Sequence, residues 1–185
     1  MKNNTKLWIG AGAALASVLI LSNRKKSNAP LATVANVDLD KYAGRWYEIA
    51  RLPKRFEKGC HCVYAEYQQN PNGYIEVRNA CHEGGPEGKL DIAEGKAFPV
   101  EGSHNSKLKV QFFWPFKGDY WILELDPAYQ YALVGTPDRE SLWILSRTPQ
   151  LDQDIYNRLI YQAEVKGFPV GKLLKTDQSC YTTAG

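Results

Sequence analysis

Gly44-Arg45-Trp46-Tyr47-Glu48-Ile49-Ala50-Arg51-Leu52 opens a strand directly after a polar approach, Asp38-Leu39-Asp40-Lys41-Tyr42. A large aromatic such as Trp46 near the start of a closed sheet can plug one of its ends. Outward from this stretch, the chain keeps offering short runs rich in Val, Ile, Tyr, Phe and Trp, punctuated by Gly, Pro, Asn and Asp. That rhythm predicts eight strands: Trp46 to Leu52, Cys62 to Gln69, Tyr74 to Cys81, Lys89 to Phe98, Lys107 to Phe113, Tyr120 to Leu125, Tyr131 to Gly135 and Leu142 to Arg147. Asn70-Pro71-Asn72-Gly73 and Pro137-Asp138-Arg139 read as tight turns, and Pro115-Phe116-Lys117-Gly118 as a third connection between aromatic strands. Short connections pair neighbours in sequence order, so the expected fold is all-β, an eight-stranded antiparallel up-and-down barrel whose closure removes exposed edges.

After Thr148-Pro149 the period changes. Leu151, Ile155, Leu159 and Ala163 recur every four residues, with Tyr156 and Ile160 beside them, which predicts a helix from about Leu151 to Lys166 with one apolar face against the barrel wall. Gly167 and Pro169 stop it, and a short extended piece leads to Cys180.

The chain has 185 residues, 44% hydrophobic and 23% charged, enough for one domain with a real core. Its net charge of +3 comes from 23 basic and 20 acidic residues spread along the length, and no basic run alternates with aromatics as a phosphate-tracking groove needs, so nucleic acid is not an expected partner. Residues 1–22 carry a basic start and an apolar run from Leu7 to Leu21, and Arg24-Lys25-Lys26 stands just beyond, the layout of an export signal or an uncut membrane anchor. No small-x-small cleavage site stands at the usual place. The apolar run is also shorter than the roughly 20 residues a spanning helix needs, so cleavage and anchoring both stay open. Residues 23–36 are small, polar and aperiodic and read as a linker, leaving 37–185 as the domain.

An even set of cysteines, Cys60, Cys62, Cys81 and Cys180, behind such a leader reads as two disulfides in an oxidising compartment. The rival is a metal site built on Cys60-His61-Cys62 and Cys81-His82, but a C-x-C within a strand poorly suits two thiolates turning onto one metal. No metal and no cofactor are expected.

Gly44-x-Trp46 at the start, Asp126-x-x-Tyr129 between the sixth and seventh strands, and Arg147 at the end of the last strand resemble the three ordered signatures of the lipocalins. Gly44 to Pro53, Phe56-Glu57-Lys58-Gly59 and Leu142 to Pro149 are similar to the bacterial outer-membrane lipocalins and to animal apolipoprotein D, over about residues 37 to 180. The resemblance implies an eight-stranded calyx that stores or transports small apolar ligands. The bacterial branch implies fatty acids and lysophospholipids, upkeep of the envelope, and export to the periplasm or outer membrane. One departure is the absence of any cysteine before residue 60, so the lipid anchor usual in bacterial members has no attachment point in this sequence. The resemblance to apolipoprotein D also implies Cys62–Cys180, leaving Cys60–Cys81, with the swapped pairing as the alternative.

Roles then follow from strand parity. Gly44, Trp46 and Arg147 are expected to be architectural, with the guanidinium stacked on the indole where first and last strands meet. Trp143 and Leu145 share the inward face with Arg147, and Tyr67 points inward with Ala65 and Val63 if Cys60 and Cys62 point out. Tyr67, Tyr120, Trp143 and Ile122 occupy positions similar to pocket-lining ones in apolipoprotein D. Glu48 shares parity with Trp46 and is expected to meet a ligand headgroup or to act as a buried acid. The expected ligand set is therefore Tyr67, Tyr120, Trp143, Glu48, Ile122 and Leu145. Phe112-Phe113-Trp114-Pro115-Phe116 can face inward only at alternate positions; the rest are expected either at a membrane or homodimer contact, or folded onto the barrel itself. With three histidines and none of the G-x-S-x-G, H-E-x-x-H or phosphate-loop motifs, an enzyme is not expected. A lipocalin-type isomerase and a haem or pigment carrier are the alternatives.

Overall fold

The computed structural model describes residues 30–181. The leader at 1–22 and the first part of the linker, 23–29, lie outside the described residues. The elements are α1 (Leu39–Tyr42), β1 (Gly44–Arg51), β2 (Cys60–Asn70), β3 (Tyr74–Glu83), β4 (Lys89–Pro99), β5 (Lys107–Phe113), β6 (Phe116–Leu125), β7 (Tyr131–Gly135), β8 (Leu142–Ser146), α2 (Gln153–Val165) and β9 (Leu174–Lys175). Strands β2 to β8 pair in sequence order, β8 pairs with β1, and β1 pairs back onto β2, so the sheet closes into the expected barrel.

The structure departs from the sequence reading in three places. Residues 30–36, read as linker, lie on the barrel: Leu31 is buried, the Val34 N–H donates to the Ile122 carbonyl and Thr33 shares a hydroxyl hydrogen bond with Ser106. Phe116-Lys117-Gly118 is the start of β6 rather than loop, because Phe113 pairs directly with Phe116 and the reversal is confined to Trp114-Pro115. The tail also forms a ninth strand.

That ninth strand completes the wall. Strand β1 pairs with β2 only over residues 44 to 47, and over Ala50 and Arg51 it pairs with β9 instead. A bulge at Cys62, whose φ is +53°, bends β2 away from β1, and the tail fills the gap. The Cys62 N–H donates to the Asp177 carbonyl at 2.7 Å, and the Gln178 side-chain amide donates to the Glu48 and Val63 carbonyls on either side of the gap. The disulfide Cys62–Cys180 pins this wedge, and Cys60–Cys81 ties β2 to β3. With every cysteine bridged, none is available to a metal.

Two apolar layers hold the fold. Inside lie Trp46, Tyr67, Val77, Leu108, Ile122 and Val134; outside, Leu123, Leu133, Leu142 and Ile144 meet Tyr156, Leu159 and Ala163 of α2. Helix α2 starts because the Asp152 carboxylate accepts from the Asp154 and Ile155 N–H groups, and it stops at Gly167, whose φ is +87°. Phe168 then turns back onto β7, where a Cβ on Gly135 would stand 2.7 Å from its ring.

Candidate ligand-binding cavity

One end of the barrel is shut. Trp46 is fully buried there, its indole N–H donates to the Tyr42 carbonyl at 2.8 Å, and the Arg147 guanidinium lies 3.9 Å from the centre of its ring. Arg147 also donates to the carbonyls of Lys41, Tyr42, Ala43, Arg45 and Tyr129, so one planar cation closes the end of α1 and joins it to β1 and the β6–β7 turn. Gly44 makes room for this: its φ is +92°, and a Cβ there would stand 3.4 Å from the guanidinium. Asp126 and Tyr129 belong to the same end, with the Tyr129 hydroxyl accepting from the Asp38 N–H and the Asp126 carboxylate from the Ala128 and Gln130 N–H groups.

The other end opens between the β1–β2, β5–β6 and β7–β8 loops into a cavity of about 660 Å³. This lies within the range of about 300–1,000 Å³ usual for small-molecule sites. Tyr67, Tyr120, Trp143, Glu48 and Leu145 all line it. Ile122 does not: two residues below Tyr120 on the same strand face, it is sealed into the floor with Val34 against it. Val63 and Ala65 line the β2 wall as parity suggested. Lys54, Lys117 and Asp138 stand among the residues of the rim, where the Lys54 ammonium also donates to the Glu140 carbonyl across two loops.

The polar groups inside are few and distinctive. Glu48 is 3% exposed and lies 3.6 Å from Arg51, yet burial outweighs that cation and pushes its carboxyl up to about 8. Arg51 Nε is 2.5 Å from Glu57 Oε2, an ion-pair contact poorly aligned as a hydrogen bond, while another guanidinium nitrogen donates to the Glu57 carbonyl. Burial also raises the Glu57 carboxyl, and the Trp143 indole N–H donates to it at 3.4 Å. Thr176, on the wedge, donates its hydroxyl to Glu48. Burial, set against the Arg51 guanidinium, leaves Glu48 holding its proton near neutral pH.

At the cavity floor Tyr67 and Tyr120 meet Tyr42, which is buried beneath them. The Tyr67 hydroxyl donates to that of Tyr120 at 3.0 Å, and the Tyr120 and Tyr42 hydroxyls are 2.8 Å apart. Burial holds Tyr67 up to about 12 and raises Tyr42 and Tyr120 as well, so all three remain neutral. Sequence reading missed Tyr42, Arg51 and Glu57. Arg51 sits two residues past Ile49 on a recognised strand, and its pairing with Glu57 depends on a loop that no periodicity describes.

Three large rings stand exposed together at the β5–β6 tip. Phe113, Trp114 and Phe116 are 79%, 86% and 78% exposed, whereas Phe112 turns into the cavity. Of the two expectations for this segment, folding back onto the barrel is excluded for these three rings.

Comparison with known proteins agrees with this architecture. The family model described as a lipocalin-like domain matches residues 37–178. The outer membrane lipoprotein Blc of Escherichia coli K12 is 37% identical over 169 residues, 91% of this chain and 94% of that protein. Mouse apolipoprotein D is 38% identical over 154 residues, 78% of each chain. Among solved structures, insecticyanin of the tobacco hornworm Manduca sexta superposes with a TM-score of 0.65 at 22% identity, covering 80% of this chain and 85% of its own, a likeness of fold. With a closed Trp46–Arg147 end, an open apolar calyx and a family match over most of its length, the chain belongs to the lipocalin family, whose members bind and carry small hydrophobic ligands.

Proposed function

We propose that this lipocalin binds single-chain amphiphiles, fatty acids or lysophospholipids, with the tail in the barrel and the headgroup at the rim. The observation that carries the reading is the cavity itself: one end plugged, the other open, with aromatic and aliphatic walls and charged groups gathered at the rim. Tyr67, Tyr120, Trp143 and Leu145 contact the chain, and Glu48 with Glu57 meets its polar part. Each methylene moved from water to these walls contributes about 0.8 kcal/mol.

The same reading extends to location. The sequence of residues 1–22 suits export and tethering, and relatives named outer membrane lipoprotein support a role in carrying lipid for envelope or membrane maintenance. Phe113 and Phe116 border the opening, and with Trp114 they suit contact with the interfacial layer of a bilayer from which a ligand is loaded. Mass spectrometry of lipid extracted from protein purified out of its own host tests the proposal. Near-stoichiometric single-chain lipid is expected; a porphyrin, a pigment or diacyl lipid alone overturns it.

A further inference from the structure

The floor of the cavity contains a hydrogen-bond donor that its neighbours cannot use. Tyr42, Tyr67 and Tyr120 bring three O–H groups, and only two hydrogen bonds join them. Tyr67 donates to Tyr120, so one hydrogen remains, on Tyr42 or on Tyr120. On Tyr42 it would be sealed in protein with no acceptor, because that residue is 2% exposed and its hydroxyl has no other partner among the described residues. A buried donor left unmade is costly. If Tyr42 instead donates to Tyr120, the Tyr120 oxygen accepts two hydrogen bonds and its own hydrogen is free to face the cavity that Tyr120 lines. An O–H that accepts twice is polarised into a better donor.

We infer that Tyr120 is a donor subsite at the closed end of the cavity, taking an uncharged oxygen at the far end of the ligand's chain. Resting on the proposed amphiphile reading, this narrows the ligand class to chains oxygenated near the terminus, such as hydroxy or oxo acids, with the headgroup still at the rim. The oxygen is uncharged because Arg147, the cation that interacts with Tyr42 and Tyr120 among the described residues, spends its donors on main-chain carbonyls beneath the floor. An ionised group there would have no counter-charge.

The test is a displacement titration with a ladder of saturated fatty acids, their ω-hydroxy counterparts and the acceptor-only (ω−1)-oxo acids, on the wild-type protein, Tyr120→Phe and Tyr42→Phe. At the best-fitting length, the wild type should bind both oxygenated chains at least as well as the plain chain. Tyr120→Phe should disfavour them by about tenfold relative to the plain chain, the scale of one unmade hydrogen bond. Tyr42→Phe should keep the wild-type preference, since it leaves the free hydrogen on Tyr120. If Tyr120→Phe fails to fold, the oxo acid in the wild type still decides, because a ligand that can only accept keeps its affinity only if the protein donates. Plain chains preferred by the wild type, or a preference untouched by Tyr120→Phe, overturns the inference. Failure of every chain to bind overturns the amphiphile reading instead.

Discussion

Replacing Arg147 by Ala removes a cation that touches five main-chain carbonyls and one indole. The donor distances run from 2.7 Å to Lys41 and 2.8 Å to Arg45 through 2.9 Å to Ala43 to 3.2 Å to Tyr42 and Tyr129. Water can reach part of this half-buried site, so two or three of these bonds count, at about 1 kcal/mol each. The stacking on Trp46 adds about 0.5–2 kcal/mol. The expected loss is therefore about 3 kcal/mol, read as a lower urea midpoint with an unchanged slope and intact disulfides. Arg147→Lys should recover less than half of it, because an ammonium cannot fork between α1 and β1. A cycle with Trp46→Leu should show coupling of about 0.5–2 kcal/mol while ligand affinity of the folded variants stays near wild type. A loss below 0.5 kcal/mol, or no coupling, would refute the argument that this pair closes the barrel.

Other outcomes follow from the cavity wall and the tail. Between pH 4.5 and about 8 the folded protein keeps a proton on Glu48 that the unfolded chain has released, so stability falls as pH rises through that window and levels off above it. Glu48→Gln should flatten that part of the stability profile, and a parallel profile would contradict the assignment. Removing Cys62–Cys180 by a double Ser substitution frees a closed loop of 118 residues and should cost about 2–5 kcal/mol in midpoint stability, with faster hydrogen exchange in β9 and the upper half of β1. Trp143→Phe should remove most of the emission change on ligand entry, because that indole lines the cavity, whereas Trp114→Phe should not in the absence of membranes. Gly135→Ala should cost about 1–3 kcal/mol by forcing Phe168 off β7, measured by thermal unfolding.

The strands and α2 were legible because their signals are local. Short apolar runs along 131–135 and 142–146, separated by the turn residues Pro137-Asp138-Arg139, and a four-residue period from Leu151 to Ala163 survive in any window of the chain. Parity also placed Trp143, Leu145 and Tyr67 on the cavity side. The resemblance to apolipoprotein D placed Ile122 on the correct face but not at the correct depth, since depth depends on where the floor lies, and Val34 helps set that floor from a segment that reads as polar linker. The wedge of β9 was illegible for a related reason: two residues, Leu174 and Lys175, have no period, and their place is fixed by a bulge at Cys62 on the opposite side of the gap. The tyrosine cluster draws on α1, β2 and β6, and no single stretch of sequence announces that their hydroxyls converge.

The central claim is that the calyx holds a long single chain. Its most direct test is a displacement titration of the disulfide-intact domain against saturated fatty acids and lysophospholipids of increasing length. Affinity should rise steadily, by up to about 0.8 kcal/mol per added methylene, and then stop or reverse once the chain reaches the Tyr120 floor. An affinity independent of chain length, or no displacement at any length, would contradict it.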